Sequence, residues 1–276
     1  MLKFSVLLSV YFKERPDCLR NSLESIFRQT RRANEVVLVE DGRLGEALEN
    51  VVKEYEQKEQ ALKVIRMMEN RGLGVALNKG MANCQYEYVM RMDSDDICFD
   101  NRFEKIMEVA ERHPELDVIG SWTQEFKAGT GEEMQLTCIK KFPHTVEDNE
   151  TYSRKRCPVE HPAVVLKKES VIKAGGYQPF YLFEDYYLWA RMFVNGCKFY
   201  NIQEPLLYFR TSDEAIRRRG GWKYAMSELK ALVKFYRMGF LNFSQLMFSI
   251  LTRTPVRLLP NGIRKLFYER FLRNKK

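Results

Sequence analysis

The first half of the chain alternates short apolar runs with longer amphipathic stretches, and this alternation constrains the fold more than any other feature. The apolar runs carry hydrophobic residues at consecutive positions, which is typical of strands covered on both faces. Helical patterns separate the runs, which are FSVLLSVYF, EVVLVEDG, LKVIRM, YEYVMRMDSDD and LDVIGSWTQEF. The alternation predicts an α/β fold with a mostly parallel, doubly wound sheet flanked by helices and joined by right-handed crossovers.

Acidic residues follow two of the predicted strands at the point where each strand ends. Glu40 and Asp41 follow the second strand, and Asp93, Asp95 and Asp96 follow the fourth. Ligands of doubly wound sheets bind at the carboxyl ends of the strands. Unpaired buried charge is costly, so the three aspartates either face water or are neutralised by a cation. Mn²⁺ or Mg²⁺ would fit, since hard cations take oxygen ligands from carboxylates and substrate phosphates. A helix cap or turn is the alternative.

The pattern changes in the second half of the chain. From Gly129 to Arg156 it weakens, which predicts a loop-rich and partly antiparallel region. HPAVVLKKESVIKAGGY predicts a strand, a helix and a glycine turn, and FEDYYLWARMFVNG predicts a helix that begins near Glu184. FYNIQEPLLYF predicts a final pair of strands interrupted at Pro205.

The net charge of +8 is unevenly distributed. Residues 210–276 contain 16 Lys and Arg against 4 Asp and Glu, whereas residues 1–209 contain 29 against 33. Two amphipathic helices are predicted in this basic tail, one with apolar residues from Phe243 to Leu251 and one with apolar residues from Ile263 to Phe271. A basic amphipathic tail favours an anionic partner, either a membrane surface or a nucleic acid. Packing on the body or on a second copy, as in a homodimer, is the other interpretation.

Several classes of protein are disfavoured by simple counts. No run of 18 or more apolar residues is present, which disfavours a membrane-spanning helix. The opening MLKFSVLLSVYF lacks a small-residue cleavage site, so it is interpreted as a buried strand rather than a signal peptide. The six cysteines include no CxxC pair, which disfavours a zinc site and a disulfide framework and indicates reduced thiols in the cytosol.

The strand ends also supply what a bound nucleotide needs. Tyr11 at the end of the first strand could stack on a base, and Asp41 could accept the imide N–H of uracil. Arg71 lies beside Gly72 and Gly74, where the backbone can approach a ligand closely and a guanidinium suits a diphosphate.

With these motifs in their order, the chain resembles the family 2 glycosyltransferases, which have a GT-A (Rossmann-like) fold. The resemblance covers about residues 3–210 and rests on four segments, SVLLSVYFKERPDCLRNSLESIFRQT, EVVLVEDG, NRGLGVALNKGMANCQYEYVMRMDSDDI and FEDYYLWARM. It implies a catalytic domain at 1–210, with a nucleotide-sugar half at about 1–125 and an acceptor half at about 126–210. Residues 211–276 would form a basic helical extension. The segment HPAVVLKK and the tail further resemble bacterial transferases that build exopolysaccharide, capsule or lipopolysaccharide.

The resemblance also implies roles for individual residues. Asp95 would coordinate Mn²⁺ or Mg²⁺, and Asp93 would lie near the ribose and the metal. Asp185, within the pair Glu184-Asp185, would be the catalytic base of an inverting reaction. The remaining nucleotide-sugar contacts would be Ser9, Tyr11, Glu14, Asp41 and Arg71.

Together these roles imply an inverting, metal-dependent transferase. It would move a sugar from a nucleotide sugar, with UDP favoured, to a hydroxyl of a growing, lipid-linked glycan. It would act in the cytoplasm at the inner face of the membrane, as a peripheral protein. A sugar-1-phosphate nucleotidyltransferase is the alternative enzyme, but its first strand-to-helix loop is Gly-rich and SVYFKERPD contains no Gly. A nucleic-acid-binding module is a further alternative, although no nucleic-acid motif is present.

Two departures from the family pattern stand out. The second motif carries Arg43 where Ser is usual, and no His follows the last strand. Arg210 or the cluster Arg217–Arg219 could supply the missing positive charge. His161, at the start of the HPAVV strand, is a candidate for acceptor contact, and the aromatic residues before Glu184 could form a sugar platform or pack in the core.

Overall fold

The computed structural model describes residues 1–128, 134–212 and 220–259. Within these ranges nine strands form one sheet in the order β3-β2-β1-β4-β8-β6-β9-β5, with β7 paired to β6. The strands are β1 Phe4–Val10, β2 Glu35–Glu40, β3 Leu62–Arg66, β4 Tyr88–Arg91, β5 Ile97–Cys98, β6 Val118–Ala128, β7 Met134–Lys140, β8 Val165–Lys167 and β9 Phe199–Arg210.

Helices connect the strands and cover both faces of the sheet. They are α1 Pro16–Phe27, α2 Glu46–Lys58, α3 Leu73–Asn83, α4 Arg102–Arg112, α5 Val146–Ser153, α6 Lys168–Lys173, α7 Glu184–Val194, α8 Trp222–Arg237 and α9 Phe243–Leu258. A single 3₁₀ turn at His161–Ala163 precedes β8. The helices and strands predicted before residue 129 are present, and the short strand β5 is an addition that the apolar pattern does not reveal.

The first half of the sheet is parallel, as predicted. β1 pairs with β2 and β4, and β2 pairs with β3, all in parallel register. Alternate residues of β1 enter two separate cores: Val6 and Leu8 pack with Leu23 of α1, whereas Leu7 packs with Leu77 of α3. Burial on both faces explains why the strand sequence is apolar at nearly every position.

The second half of the sheet mixes parallel and antiparallel pairs. β8 is antiparallel to β4 and β6, β5 is antiparallel to β9, and β6 and β9 are parallel. β7 returns antiparallel to β6, which agrees with the partly antiparallel region predicted from Gly129 to Arg156. The predicted α/β fold is therefore confirmed, with a mixed sheet beyond β4.

The prediction of two final strands is wrong. Residues 199–210 form one strand, β9, whose register with β6 shifts at Pro205. Ser121 pairs with Ile202, Trp122 with Pro205 and Thr123 with Leu207, so Gln203, Glu204 and Leu206 bulge out of the ladder. Proline has no N–H to donate, and a bulge accommodates it without ending the strand.

The described part of the tail packs on the body. Tyr186 of α7 meets Phe235 of α8 with ring centroids 5.0 Å apart. α9 is tied to α8 through Glu228, which pairs with Arg253 at 2.5 Å and Arg257 at 2.9 Å. The helix predicted from Ile263 to Phe271 and the cluster Arg217–Arg219 lie outside the described residues.

Candidate functional site

Three carboxylates gather directly after β4, at the carboxyl end of the parallel strands. Ligand atoms of Asp93, Asp95 and Asp96 all lie within 4.8 Å of one another. Burial, together with the charges of Asp93 and Glu14, raises the pKa of Asp95 to about 7. Burial and the charges of Asp95 and Asp93 also raise the pKa of Asp96. The crowding of negative charge creates a site that a divalent cation would stabilise, and its oxygen ligands fit Mn²⁺ or Mg²⁺.

Residues of β4, of α1 and of the loop after β1 contact this acidic cluster and hold it in place. Arg91, the last residue of β4, places its Nη1 2.6 Å from Oδ1 of Asp93. Ser22 of α1 donates its hydroxyl to the carbonyl of Asp93 at 2.9 Å. Ser94 donates to Oε2 of Glu14 at 2.6 Å, which brings the loop after β1 to the cluster. Glu14 and Asp93, predicted to serve the same nucleotide, therefore lie on adjoining loops.

Arg210, at the end of β9, also reaches the acidic cluster. Its Nε donates to the carbonyl oxygen of Asp95 at 2.8 Å, and its backbone N–H donates to Oδ1 of Asp96 at 2.7 Å. The guanidinium lies over the ring of Phe126, with Cζ 4.6 Å from the centroid. Of the predicted substitutes for the absent histidine, Arg210 is the one that the described residues place beside the acids.

Asp96 has a structural role that its sequence position did not reveal. It is almost completely buried and anchors the backbone of β9 through Oδ1. Its other oxygen, Oδ2, is buried without a hydrogen-bond partner among the described residues. Only the pairing of β9 with β5, which follows Asp96 in the chain, brings this contact about.

A second group of predicted residues lies where β2 ends. Both carboxylate oxygens of Asp41 accept backbone N–H groups, Oδ1 from Arg71 at 2.7 Å and Oδ2 from Gly72 at 3.0 Å. Gly42 follows with φ of +86°, and a Cβ there would lie 2.5 Å from the backbone nitrogen of Asn70. Asp41 therefore shapes the loop that carries Arg71, and each of its oxygens keeps a second lone pair for a ligand.

The two remaining first-strand residues differ in their exposure. Tyr11, directly after β1, is 40% exposed, and its ring meets Phe12 edge-on with centroids 5.8 Å apart. Ser9 is half-buried within β1. An exposed aromatic ring at a strand end is available for stacking on a base.

The predicted catalytic pair opens α7. Glu184 and Asp185 are its first two residues, and Oδ1 of Asp185 accepts the backbone N–H of Tyr186 at 2.7 Å. Burial, followed by the charge of Asp185, raises the pKa of Glu184. Leu182, directly before the helix, has φ of +58°, a left-handed conformation that costs about 1–3 kcal/mol for a residue with a side chain. The surrounding packing maintains this strained entry to α7.

His161 and Tyr177 form a buried pair between the acidic cluster and α7. His161 Nε2 lies 2.8 Å from the hydroxyl of Tyr177. Burial and the charge of Arg91 hold the pKa of His161 well below its usual value. Burial also raises the pKa of Tyr177, which is influenced by the charges of both Asp93 and Asp185. His161 was a candidate for acceptor contact. In the structure, the Nε2 atom of its ring is instead engaged by the hydroxyl of Tyr177.

The predicted aromatic platform divides into two parts. Tyr177 and Phe183 are buried in the core, whereas Phe180 is half-buried and Tyr181 is exposed. The other two histidines have partners of their own. His144 Nε2 lies 2.6 Å from the hydroxyl of Tyr200, and His113 Nδ1 lies 3.3 Å from Oε1 of Glu115. Neither touches the predicted site residues.

The chain is similar to known proteins at the levels of family, sequence and structure. The model of the family "Glycosyl transferase family 2" matches residues 5–170. A curated relative from Escherichia coli, UDP-Gal:alpha-D-GlcNAc-diphosphoundecaprenol beta-1,3-galactosyltransferase, is 39% identical over 271 residues, which is 98% of this chain and 97% of the relative. The amylovoran biosynthesis glycosyltransferase AmsE of Erwinia amylovora is 36% identical over 97% of this chain and 98% of its own.

A solved structure shares the fold at lower sequence identity. The crystal structure of S. aureus TarS 1-349 in complex with UDP-GlcNAc superposes with a TM-score of 0.70 at 17% identity. The match covers 99% of this chain and 77% of TarS 1-349. The shared architecture is the α/β sheet described above together with its flanking helices.

Proposed function

The chain belongs to glycosyltransferase family 2, and we propose that it transfers a sugar from a UDP-sugar to a hydroxyl of a lipid-linked saccharide with inversion at the anomeric carbon. The observation that carries the proposal is the acidic cluster at the end of β4, with Arg210 held against it. The diphosphate of a nucleotide sugar is negatively charged. At this cluster a metal cation and the guanidinium of Arg210 would both lie beside it. The product would be an intermediate of a bacterial surface polysaccharide.

The residues present fit a divalent metal. Asp95 and Asp93 would hold Mn²⁺ or Mg²⁺ through carboxylate oxygens, and burial beside the charges of Asp93 and Glu14 raises the pKa of Asp95 to about 7. When bound, the metal supplies neutralisation of the charge that builds on the leaving diphosphate. Arg210 contributes a second positive charge beside it, in the place of the histidine that relatives carry. Asp96 holds β9, and with it Arg210, in position.

The donor would lie along the strand ends. Asp41 would accept the imide N–H of uracil with its remaining lone pairs, and Tyr11 would stack on the base. Arg71, on the loop that Asp41 shapes, would face the diphosphate. Asp93 would bind the ribose, and Ser9 and Glu14 would line the first-strand side of the nucleotide.

The base would be Asp185. A carboxylate at the start of α7 can take the proton of an acceptor hydroxyl as that hydroxyl attacks the anomeric carbon. Attack from the face opposite the leaving diphosphate inverts the configuration. Glu184 precedes it in the same helical turn, and burial raises the pKa of Glu184.

The acceptor and its location follow from the relative and from the tail. The Escherichia coli relative is named for an acceptor carried on diphosphoundecaprenol, and a membrane lipid would bring this enzyme to the inner face of the cytoplasmic membrane. Among the described residues no helix is both long and apolar enough to cross a bilayer. α9 exposes a row of apolar side chains that could enter a bilayer surface, namely Phe243, Met247, Phe248 and Leu251.

A panel of nucleotide sugars tests this proposal. Each is incubated with a saccharide on a polyprenyl diphosphate, with Mn²⁺ or with EDTA. The released nucleoside diphosphate, the mass of the product and its anomeric configuration by NMR are measured. Metal-dependent release of UDP with a product of inverted anomeric configuration is expected. Cleavage of the nucleotide sugar by added pyrophosphate, with formation of a nucleoside triphosphate and a sugar 1-phosphate, would identify a nucleotidyltransferase and overturn the proposal.

A further inference from the structure

A large open groove lies outside the acidic cluster, between residues 179–181 and helix α8. Its volume is about 870 Å³, within the range of small-molecule sites. One wall is Pro179, Phe180 and Tyr181, and the other is one face of α8 from Trp222 to Arg237. Of the roles considered above, only the candidate sugar platform, through Phe180 and Tyr181, touches this groove.

The groove is positively charged. Lys223, Lys230, Lys234 and Arg237 line it, and none of the described lining residues is acidic. Within residues 1–128, 134–212 and 220–259, none of these four cations forms a salt bridge. The one acid of α8, Glu228, is on the inner face, where it pairs with α9. The groove therefore presents a cluster of cations that suits an anionic ligand.

The groove is also apolar between its cations. Trp222 is 70% exposed, an unusual state for so large an apolar side chain, and Phe180, Met226 and Val233 are partly exposed around it. Lys234 Nζ lies 4.5 Å from the ring centroid of Tyr187, and Lys223 Nζ lies 4.3 Å from that of Tyr181. A ligand that suits this surface carries a compact anion and an apolar chain.

A short stretch of chain connects the groove to the predicted base. Residues 179–181 continue through Leu182 into Glu184 and Asp185, so one wall of the groove and the first turn of α7 form one continuous segment. Ser227 of α8 donates its hydroxyl to the carbonyl of Tyr181 at 2.7 Å, which fixes the two walls to each other. Tyr181 lies four positions before Asp185, and four residues span at most about 14 Å, so the groove and the predicted base are near one another.

We propose that this groove binds the diphosphate and the first isoprenoid units of the lipid-linked acceptor. The inference rests on the proposed function and adds the site where the acceptor's carrier is held. The lysines on α8 pair with the diphosphate, Trp222 and Met226 cover the isoprenoid chain, and the saccharide extends toward Asp185. The enzyme thereby selects acceptors by their carrier as well as by their sugar.

Kinetics of a charge variant test the proposal. Lys230→Gln/Lys234→Gln removes two exposed cations from the groove, and Lys53→Gln/Lys58→Gln removes two exposed cations from α2 as the matched control. The groove variant is expected to raise the KM for a polyprenyl-diphosphate saccharide about tenfold, the loss of two modest ion pairs. The KM for the UDP-sugar and the control variant are expected to stay at wild-type values. An unchanged acceptor KM in the groove variant would overturn the proposal.

Two acceptors that each lack part of the lipid carrier distinguish binding in this groove from a general loss of activity. For the same saccharide on a neutral alkyl chain, the groove variant and the wild type are expected to have equal KM, because no diphosphate is present. Trp222→Ala is expected to raise the KM for a long-chain diphosphate acceptor and leave that for a methyl-diphosphate acceptor unchanged. A uniform rise across all acceptors would indicate a structural defect and would contradict the proposal.

A binding measurement separates this inference from the proposed function. Fluorescently labelled farnesyl diphosphate is titrated into the wild type and both double variants, without any donor. Weaker binding by the groove variant alone supports the groove even if the enzyme transfers to another acceptor. Equal binding by all three proteins refutes the groove, while transfer by the wild type would leave the proposed function standing.

Discussion

Nη1 of Arg91 lies 2.6 Å from Oδ1 of Asp93, and the guanidinium is only 1% exposed. Burial disfavours its charge, but the nearby carboxylate of Asp93 leaves the pKa of Arg91 raised. The first acid of the DxD motif is therefore half of an ion pair that ties β4 to the acidic cluster. The two acids of the motif therefore differ in their surroundings. Asp93 lies beside the positive charge of Arg91, whereas Asp95 is buried beside the negative charges of Asp93 and Glu14.

Replacing Asp93 is expected to destabilise the protein. Asp93→Asn leaves the buried guanidinium of Arg91 without its counter-charge, and breaking a buried pair in this way costs about 3–5 kcal/mol. Asp93 is partly exposed, so the cost is expected near the lower end of that range. Urea unfolding of the metal-free protein measures it, with Asp100→Asn, an exposed surface acid, as the control.

Replacing Asp95 is expected to have the opposite effect on the metal-free protein. Its pKa of about 7 in the fold lies above its usual value, so its charged form opposes folding above pH 7. Asp95→Asn removes that repulsion and is expected to raise the free energy of unfolding at pH 8 by on the order of 2 kcal/mol. The variant is also expected to lose any rise in Tm on addition of Mn²⁺ with UDP. A lower metal-free Tm, or a retained response to Mn²⁺, would count against the assignment.

Replacing Asp185 is expected to stop transfer without affecting the donor site. Asp185→Asn cannot take the acceptor's proton, and loss of a general base reduces the rate by about 10²–10⁴-fold. UDP binding, followed by calorimetry in the presence of Mn²⁺, is expected to be unchanged. Glu169→Gln changes an acid in the first turn of α6, which lies outside the proposed site, and serves as the control. Normal transfer by Asp185→Asn would show that the base is another residue.

His161 is expected to make the fold sensitive to acid. Its pKa is lowered in the folded state, so the unfolded chain binds the proton first as pH falls. The free energy of unfolding then decreases below about pH 6.5, by up to about 1.4 kcal/mol per pH unit from this residue. His161→Gln lacks this contribution, and urea unfolding at pH 7.5, 6.5 and 5.5 compares the slopes. Identical slopes in the wild type and in both His161→Gln and His161→Asn would contradict the prediction.

The apolar row on α9 is expected to bind membranes. Phe248→Ser/Leu251→Ser should reduce pelleting with anionic vesicles several-fold while leaving Tm unchanged, because both side chains are exposed. Removing α9 altogether would be a poorer test, since it would leave buried Glu228 without Arg253 and Arg257. Met68→Ser/Ile172→Ser changes two exposed apolar residues elsewhere and is the matched control. Equal pelleting by all three proteins would refute membrane contact through α9.

Much of the fold and the candidate site was predictable because the relevant patterns are local. Consecutive apolar residues in β1 reflect burial on both faces, and the acids after β2 and β4 follow from the ends of those strands. A side chain's face and its distance from a strand end depend on neighbours a few positions away, so a short window of sequence is enough. This reasoning made Asp41 and Asp95 candidates, whereas Asp185 became one only through the resemblance to family 2 glycosyltransferases.

Only the tertiary structure decided which distant segments meet. β9 reaches Asp96 across 114 positions of the chain, and its arrival places Arg210 on the acidic cluster. His161 and Tyr177 pair inside the core, a contact that the sequence pattern does not reveal. The antiparallel pairing of β8 and the groove beside α8 were equally hidden. Strand partners and buried ion pairs depend on long-range packing. Apolar periodicity is a local pattern and does not specify which distant segments come into contact.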